Sequence, residues 1–237
     1  MNKLIGPARN QLLASLDAQD LTGLSGRLTP VRLAKGALLY EPGDPIDLVY
    51  FPHDAVVSLM TLMQGGAAIE SATIGREGAL GLLAAVSPRQ SLSRAIVQVA
   101  GDASRVEASD LHEAWKQSPR LRDLAERHAE ALFGHAIQSV ACNALHSVEA
   151  RFCRWLLCCR DRIDTDRVSL TQEFLADMLG VQRTTVTVVA RTLQAAGLIR
   201  YSRGVVDILD RGGLEATACE CYGAVRRTYE RLLPASG

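Results

Sequence analysis

Over the first hundred residues apolar and polar positions trade places in short runs, rich in β-branched side chains and closed by Gly, Pro or Asp. This pattern predicts strands over Gly36–Tyr40, Leu48–Phe51, Ala55–Met63, Ala67–Ile74, Ala95–Val99 and Ser104–Glu107. Gln64-Gly65-Gly66 reads as a hairpin loop, because glycine takes positive φ at little steric cost, and Glu41-Pro42-Gly43-Asp44-Pro45 as a second turn. Several short strands joined this way favour an antiparallel sandwich or barrel over a parallel sheet.

Near residue 109 the period changes to 3.6. Asp110-Leu111-His112-Glu113 has capping-box spacing, with Leu111, Ala114 and Trp115 on one side of the helix it would open. A long helix is expected after Pro119, where Leu121, Leu124, His128, Leu132, His135, Ser139 and Asn143 follow steps of three and four. That seam either packs on its own domain or meets a second copy of the chain. Some 25 residues span roughly 37 Å, more than a small domain needs, which favours the second copy. Val148, Phe152, Trp155, Leu156 and Cys159 mark the inward face of a further helix, and the polar Asp161–Arg167 reads as a loop.

The stretch Ser169–Gly204 carries the most specific pattern. Leu175, Met178 and Leu179 give a short helix an apolar face, Gly180-Val181 interrupts it, and Gln182–Ala195 begins a second helix, so the segment reads as helix, turn, helix. Val186, Val189, Ala190 and Leu193 gather on one side of the second helix and Thr184, Thr187, Val188 and Arg191 on the other. With Gln182 and Arg183 at its start, that second side suits base edges, since arginine bonds guanine in bidentate fashion and methyl groups meet thymine. Leu198–Val206 reads as two short strands about a turn, a wing able to lay Ser202 and Arg203 against phosphates.

Charge sharpens this reading. The whole chain balances 26 basic against 26 acidic residues, so it gives no global hint of a polyanionic partner. From Met178 through Val206, however, stand Arg183, Arg191, Arg200 and Arg203 and no acidic residue. At 237 residues, 48% hydrophobic and 22% charged, the chain has enough apolar mass for two cores and too much for disorder. No apolar run is long enough to span a membrane and the opening residues lack an export pattern, so a cytoplasmic protein is expected.

The order of pieces, a small β domain, a long helix and a winged helix-turn-helix, resembles the Crp/Fnr family of transcription regulators. The resemblance is most specific over Leu170–Val186 and looser at Gly36, Leu39, Pro42-Gly43-Asp44 and Val49-Tyr50-Phe51. It implies an α+β chain: an N-terminal antiparallel β jelly roll of the cyclic-nucleotide-binding type with flanking short helices over 1–117, a long dimerisation helix and hinge over 118–146, and a winged helix-turn-helix over 147–237. It also implies a homodimer on two-fold-related duplex DNA, with RNA polymerase as a further partner. Thr171, Gln172, Gln182, Arg183, Thr184, Thr187, Val188, Arg191, Ser202 and Arg203 are the expected DNA-binding set, and Leu121, Leu124, His128, Leu132, His135 and Ser139 the expected dimer interface.

Two departures qualify what the family pattern implies. Where well-known members carry Arg-Glu-Thr-Val-x-Arg, this chain has Arg183-Thr184-Thr185-Val186-Thr187-Val188, so its operator should differ from the family consensus. The cyclic-nucleotide pattern is broken: Gly78-Ala79 replaces Gly-Glu, and Ser93-Arg94-Ala95 reverses the Arg-Ser order. Glu77, Gly78, Ser93 and Arg94 remain the effector-binding candidates, and a standard cyclic nucleotide is not the expected ligand.

The six cysteines, Cys142, Cys153, Cys158, Cys159, Cys219 and Cys221, fall at gaps of 11, 5, 1, 60 and 2 residues, which supplies no pair of C-x-x-C motifs. They read as packed thiols, no metal site is assigned, and no cysteine precedes the β region where an iron–sulfur sensor would need them. Only His53 among the histidines lies in the β region, short of the H-x-H pair of a cupin-type oxygenase, so no enzyme is expected. The alternative function is a ligand-binding module that acts on a protein partner without reading DNA.

Overall fold

The computed structural model describes residues 9–86 and 89–233, so the outer ends of the first and last expected domains lie outside the described residues. Two short helices, α1 (Gln11–Ala14) and α2 (Ala18–Ser25), lead into seven strands: β1 (Thr29–Leu33), β2 (Leu38–Tyr40), β3 (Leu48–Pro52), β4 (Val56–Leu62), β5 (Ala68–Ile74), β6 (Arg94–Val99) and β7 (Gly101–Glu107). They pair antiparallel as two sheets, in the orders β1-β7-β3 and β2-β6-β4-β5, and close on Tyr40, Tyr50, Val57, Ile74, Val97 and Ala103. This is the expected β sandwich, with β1 as a strand that the sequence pattern did not flag. Its Thr-Pro-Val-Arg-Leu sequence lies mostly exposed at a sheet edge and lacks a continuous apolar run.

Helices follow from residue 108: α3 (Ala108–Gln117), α4 (Pro119–Leu145) and α5 (Val148–Ile163). Asp110 does not cap α3. The helix begins at Ala108, and Asp110 instead pairs with Arg27 at 3.1 Å. The start of α4 is as anticipated: Ser118 Oγ accepts the Leu121 N–H at 2.8 Å and Pro119 occupies the first turn, where its missing N–H costs nothing. After β8 (Arg167–Ser169) come α6 (Gln172–Leu179), α7 (Arg183–Ala195), β9 (Ile199–Ser202), β10 (Val205–Ile208), α8 (Arg211–Thr217) and α9 (Cys221–Leu232).

The long helix is where expectation and structure part. Leu121, Leu124, His128, His135 and Ser139 are buried inside this chain, and Leu132 packs against the sandwich core. Leu121 and Leu124 join Leu12, Phe51 and Leu111 on one flank and Val225 and Tyr229 of α9 on the other. The expected dimer seam is therefore the face α4 turns to its own chain, because α9 returns alongside α4 and covers it. The opposite face carries Phe133, Ile137 and Val140, 68%, 55% and 71% exposed.

The winged helix does not stand apart from the sandwich. Val56, Met60 and Val99 of the second sheet belong to the same core as Phe152, Trp155, Leu175, Met178 and Leu179. Buried polar contacts cross the same junction: Trp155 Nε1 donates to Glu70 at 3.5 Å, and Ser58 donates to the Met178 sulfur at 3.4 Å and, at closer range, to Glu70.

Candidate nucleic-acid interface

The helix-turn-helix forms because each junction carries a residue suited to it. Thr171 Oγ1 accepts the Phe174 N–H at 3.2 Å and opens α6. Gly180, at φ +62, closes it in the left-handed region that a β-carbon would strain, and the Ile69 side chain lies only 2.9 Å from where such a carbon would sit. Gln182 then precedes α7, whose Val186, Ala190 and Leu193 anchor it in the core.

The outer side of α7 faces away from the sandwich. Gln182, Arg183, Thr184, Val188 and Arg191 are exposed, Val188 to 62%. Thr187 is half-buried, its hydroxyl donating to Gln172 Oε1 at 2.9 Å and to the Arg183 carbonyl at 3.1 Å. The wing is a three-stranded antiparallel sheet in the order β8-β10-β9, one strand more than anticipated. At its tip Arg203 and Gly204 both have positive φ, +49 and +75, as a two-residue hairpin of the type I′ class requires. A non-glycine residue held there costs about 1–2 kcal/mol. Ser202 and Arg203 are exposed.

These parts converge on one cleft of about 440 Å³, lined by Thr171, Gln172, Arg183, Thr187, Arg191 and Arg203 among others. Two further lining residues, Gln194 and Tyr201, were missed by the sequence reading. Gln194 Oε1 accepts the Tyr201 N–H at 2.8 Å and the Tyr201 hydroxyl donates to the Leu170 carbonyl at 2.9 Å, which locks wing to helix. The available signal was the spacing Arg183, Thr187, Arg191, Gln194, one continuous helical stripe. Burial raises the Tyr201 phenol while Arg183 opposes the shift, so the ring remains a neutral donor.

Electrostatically the surface is unmatched. Arg183, Arg191, Arg200 and Arg203 are all exposed and form no ion pair with another described residue. Nearby arginines do find carboxylates: Arg160 with Asp166 at 2.8 Å and Arg211 with Glu215 at 2.8 Å.

The effector-binding candidates are not brought together. Glu77 turns inward to Arg162, 2.7 Å away with both side chains almost buried, and Arg162 donates onward to Thr73 at 2.9 Å. Burial pushes the Glu77 carboxyl up, and Arg162 more than reverses this, holding it below the usual range. Arg94 is bound instead to Glu41 at 2.6 Å, the Ser93 carbonyl accepts from the Ser91 hydroxyl, and Gly78 is pressed against His128. The physical reason is that each charged side chain already has a protein partner on a different element: Glu77, in the loop after β5, pairs with Arg162 of α5, and Arg94, at the start of β6, with Glu41. A larger cavity of about 580 Å³ borders Glu77, but its charges are already paired, Arg76 with Asp164 at 2.6 Å and Arg211 with Asp161 at 3.1 Å.

Comparison with known proteins agrees with this geometry. Residues 150–217 match the family described as the Crp-like helix-turn-helix domain. No curated protein matches the chain significantly. Among solved structures, FixK2 from Bradyrhizobium japonicum superposes with a TM-score of 0.69 at 17% identity, over 81% of this chain and 98% of that one. A transcriptional regulator of the CRP family from Thermus thermophilus gives 0.64 at 22% identity, over 79% and 96%. A putative transcriptional regulator of the Crp/Fnr family from Eubacterium rectale gives 0.63 at 20%, over 88% and 98%.

Proposed function

We propose that this chain, a Crp-like helix-turn-helix domain carried on the fold of Crp/Fnr regulators, is a homodimeric transcription regulator that reads duplex DNA with α7 and the β9–β10 wing. One observation carries the reading: the exposed Arg183, Arg191 and Arg203 line one cleft beside α7, none paired with a carboxylate among the described residues, and a helix has the right width for a major groove. Arg183 and Arg191, with the Thr184 and Val188 methyl groups, face base edges. Arg203 at the wing tip reaches phosphate, which accounts for an arginine kept at positive φ.

The dimer forms on the exposed stripe Phe133, Ile137 and Val140, at i, i+4 and i+7, and not on the seam that α9 covers. Two copies on this stripe present two reading heads, whose half-sites lie roughly 34 Å apart. The sandwich supplies the sensing domain, and its effector is something other than a standard cyclic nucleotide, because Glu77 and Arg94 are already neutralised by Arg162 and Glu41.

Selection of bound duplexes from a random pool tests the proposal. A two-fold-related sequence should emerge, and Arg183→Ala should relax preference at one position per half-site at a cost of about 1–3 kcal/mol. Recovery of no enriched sequence, or of a single unrepeated half-site, would contradict it.

A further inference from the structure

A second constellation lies on the side of the molecule where α4 ends. Cys142 falls in the last turn of α4 and His146 is the residue that caps it, four positions on, so both side chains share one helical face. Cys219 and Cys221 come from the junction of α8 and α9, 73 residues beyond His146.

The Cys142 and Cys219 sulfurs stand 3.5 Å apart, the Cys221 sulfur is 3.5 Å from His146 Nδ1, and all four donor atoms lie within 4.8 Å of one another. Sulfur at about 2.3 Å and nitrogen at about 2.0 Å from a tetrahedral ion are separated from one another by roughly 3.5–3.8 Å. A disulfide, by contrast, brings two sulfurs to about 2.05 Å. Two of the cluster's separations match the edges of a coordination tetrahedron, and a contraction of about 1 Å at most brings the others to it.

The surroundings suit an ion as well. His146 Nε2 lies 3.1 Å from the Glu220 carboxylate, so its N–H donates outward and leaves the Nδ1 lone pair facing the cysteines. That carboxylate–imidazole arrangement is how metal-bound histidines are oriented. Gln138 donates to the Cys221 sulfur at 3.0 Å. Three thiolates and a neutral imidazole around a dication carry one net negative charge, and the buried Arg154 is close enough for its charge to act on Cys142 and Cys219. The three cysteines are buried and His146 is half-buried, which leaves no open coordination position.

We propose that Cys142, His146, Cys219 and Cys221 hold one zinc(II) ion in a closed Cys3His site. Thiolate donors select a soft or borderline cation over magnesium or calcium, and four protein ligands mark a structural site. As the ion binds, three thiol protons leave to solvent and no electron is transferred. The ion clamps the end of α4 to the start of α9, beside the link through which α4 enters α5 and the winged helix, and so fixes the direction in which the reading head leaves the long helix.

The test uses the full chain, purified under reducing conditions without chelator. Elemental analysis should find one zinc per chain. Cobalt(II) added to the metal-stripped protein should give intense visible bands of tetrahedral cobalt with sulfur-to-cobalt charge transfer. The Cys219→Ser/Cys221→Ser variant should lose both signals and Cys158→Ser should keep both. Glu220→Gln alters an exposed side chain and leaves all four ligands, so it separates metal binding from folding: zinc affinity should fall about tenfold to a hundredfold in competition with a chromophoric chelator. Absence of both zinc and the cobalt spectrum in the unaltered chain would overturn the proposal, as would full zinc retention in the double variant or a Cys142–Cys219 disulfide in the reduced preparation. The DNA-reading surface shares no residue with this site, so either result leaves that reading standing.

Discussion

The His128 imidazole is enclosed between α4 and the loop after β5, where its Nε2 accepts the Ala79 N–H at 3.2 Å and its ring fills the space a β-carbon on residue 78 would need. Burial pushes its pKa down to about 4, with the nearby Glu77 charge opposing the shift. Protonation would remove the lone pair that accepts the Ala79 hydrogen. Because the folded value lies below the unfolded value of about 6.5, the unfolded chain binds more protons between these limits. The stability contributed is present in full above about pH 6.5 and is lost as pH falls toward 4, on the order of 3 kcal/mol in all. Urea titrations at pH 7.5 and pH 5 should register this loss, and His128→Leu should flatten the pH dependence. An unchanged pH profile in that variant would show that His128 is not the group responsible.

At the scale of elements, the legible parts of the chain were those where local chemistry and tertiary role coincide. Thr171, Gly180 and the buried triplet Val186, Ala190 and Leu193 announce α6, turn and α7 in the sequence, and the structure uses each as its type suggests. The strand β4 shows the limit. Its Val-Val-Ser-Leu-Met-Thr-Leu run is nearly continuous in apolar residues, with Val56, Val57 and Met60 all buried, where a strand with one wet face would alternate. The run reads only as one strand of a sandwich; the second cover over it, from the winged helix, depends on tertiary packing that no local pattern carries. The long helix shows another limit, since it carries apolar stripes on two sides and periodicity cannot say which of them its own chain will claim. Return of α9 along α4 decides the matter. Likewise, the Cys142–His146 and Cys219–Cys221 pairs are each local, whereas their meeting depends on that same return. The exposed stripe leads to a direct expectation: Ile137→Asp with Val140→Asp should convert a dimer to a monomer in analytical ultracentrifugation while leaving the helical circular dichroism intact. A dimer that survives both substitutions would place the interface elsewhere.

At the scale of the whole molecule, a chain of zero net charge brings three exposed arginines, Arg183, Arg191 and Arg203, to one cleft where none of them pairs with a carboxylate among the described residues. Other arginines do meet carboxylates, some of them across the junction between sandwich and winged helix, as in Arg162–Glu77 and Arg76–Asp164. Such pairs tie α5 and its C-terminal end to the loop after β5, while Arg183, Arg191, Arg200 and Arg203 form no ion pair with another described residue. If all four in each subunit met phosphate, a dimer would neutralise about eight charges and log K would fall with log salt at a slope of about −7. Base contacts by Arg183 and Arg191 make the true slope shallower. The most direct measurement is therefore the salt dependence of binding to a selected duplex, for the unaltered chain and for Arg203→Ala. The expected result is a steep negative slope that Arg203→Ala makes shallower by about two per dimer, with weakened binding to every sequence alike. A flat salt dependence, or a slope indifferent to Arg203, would contradict the assignment of this surface to DNA.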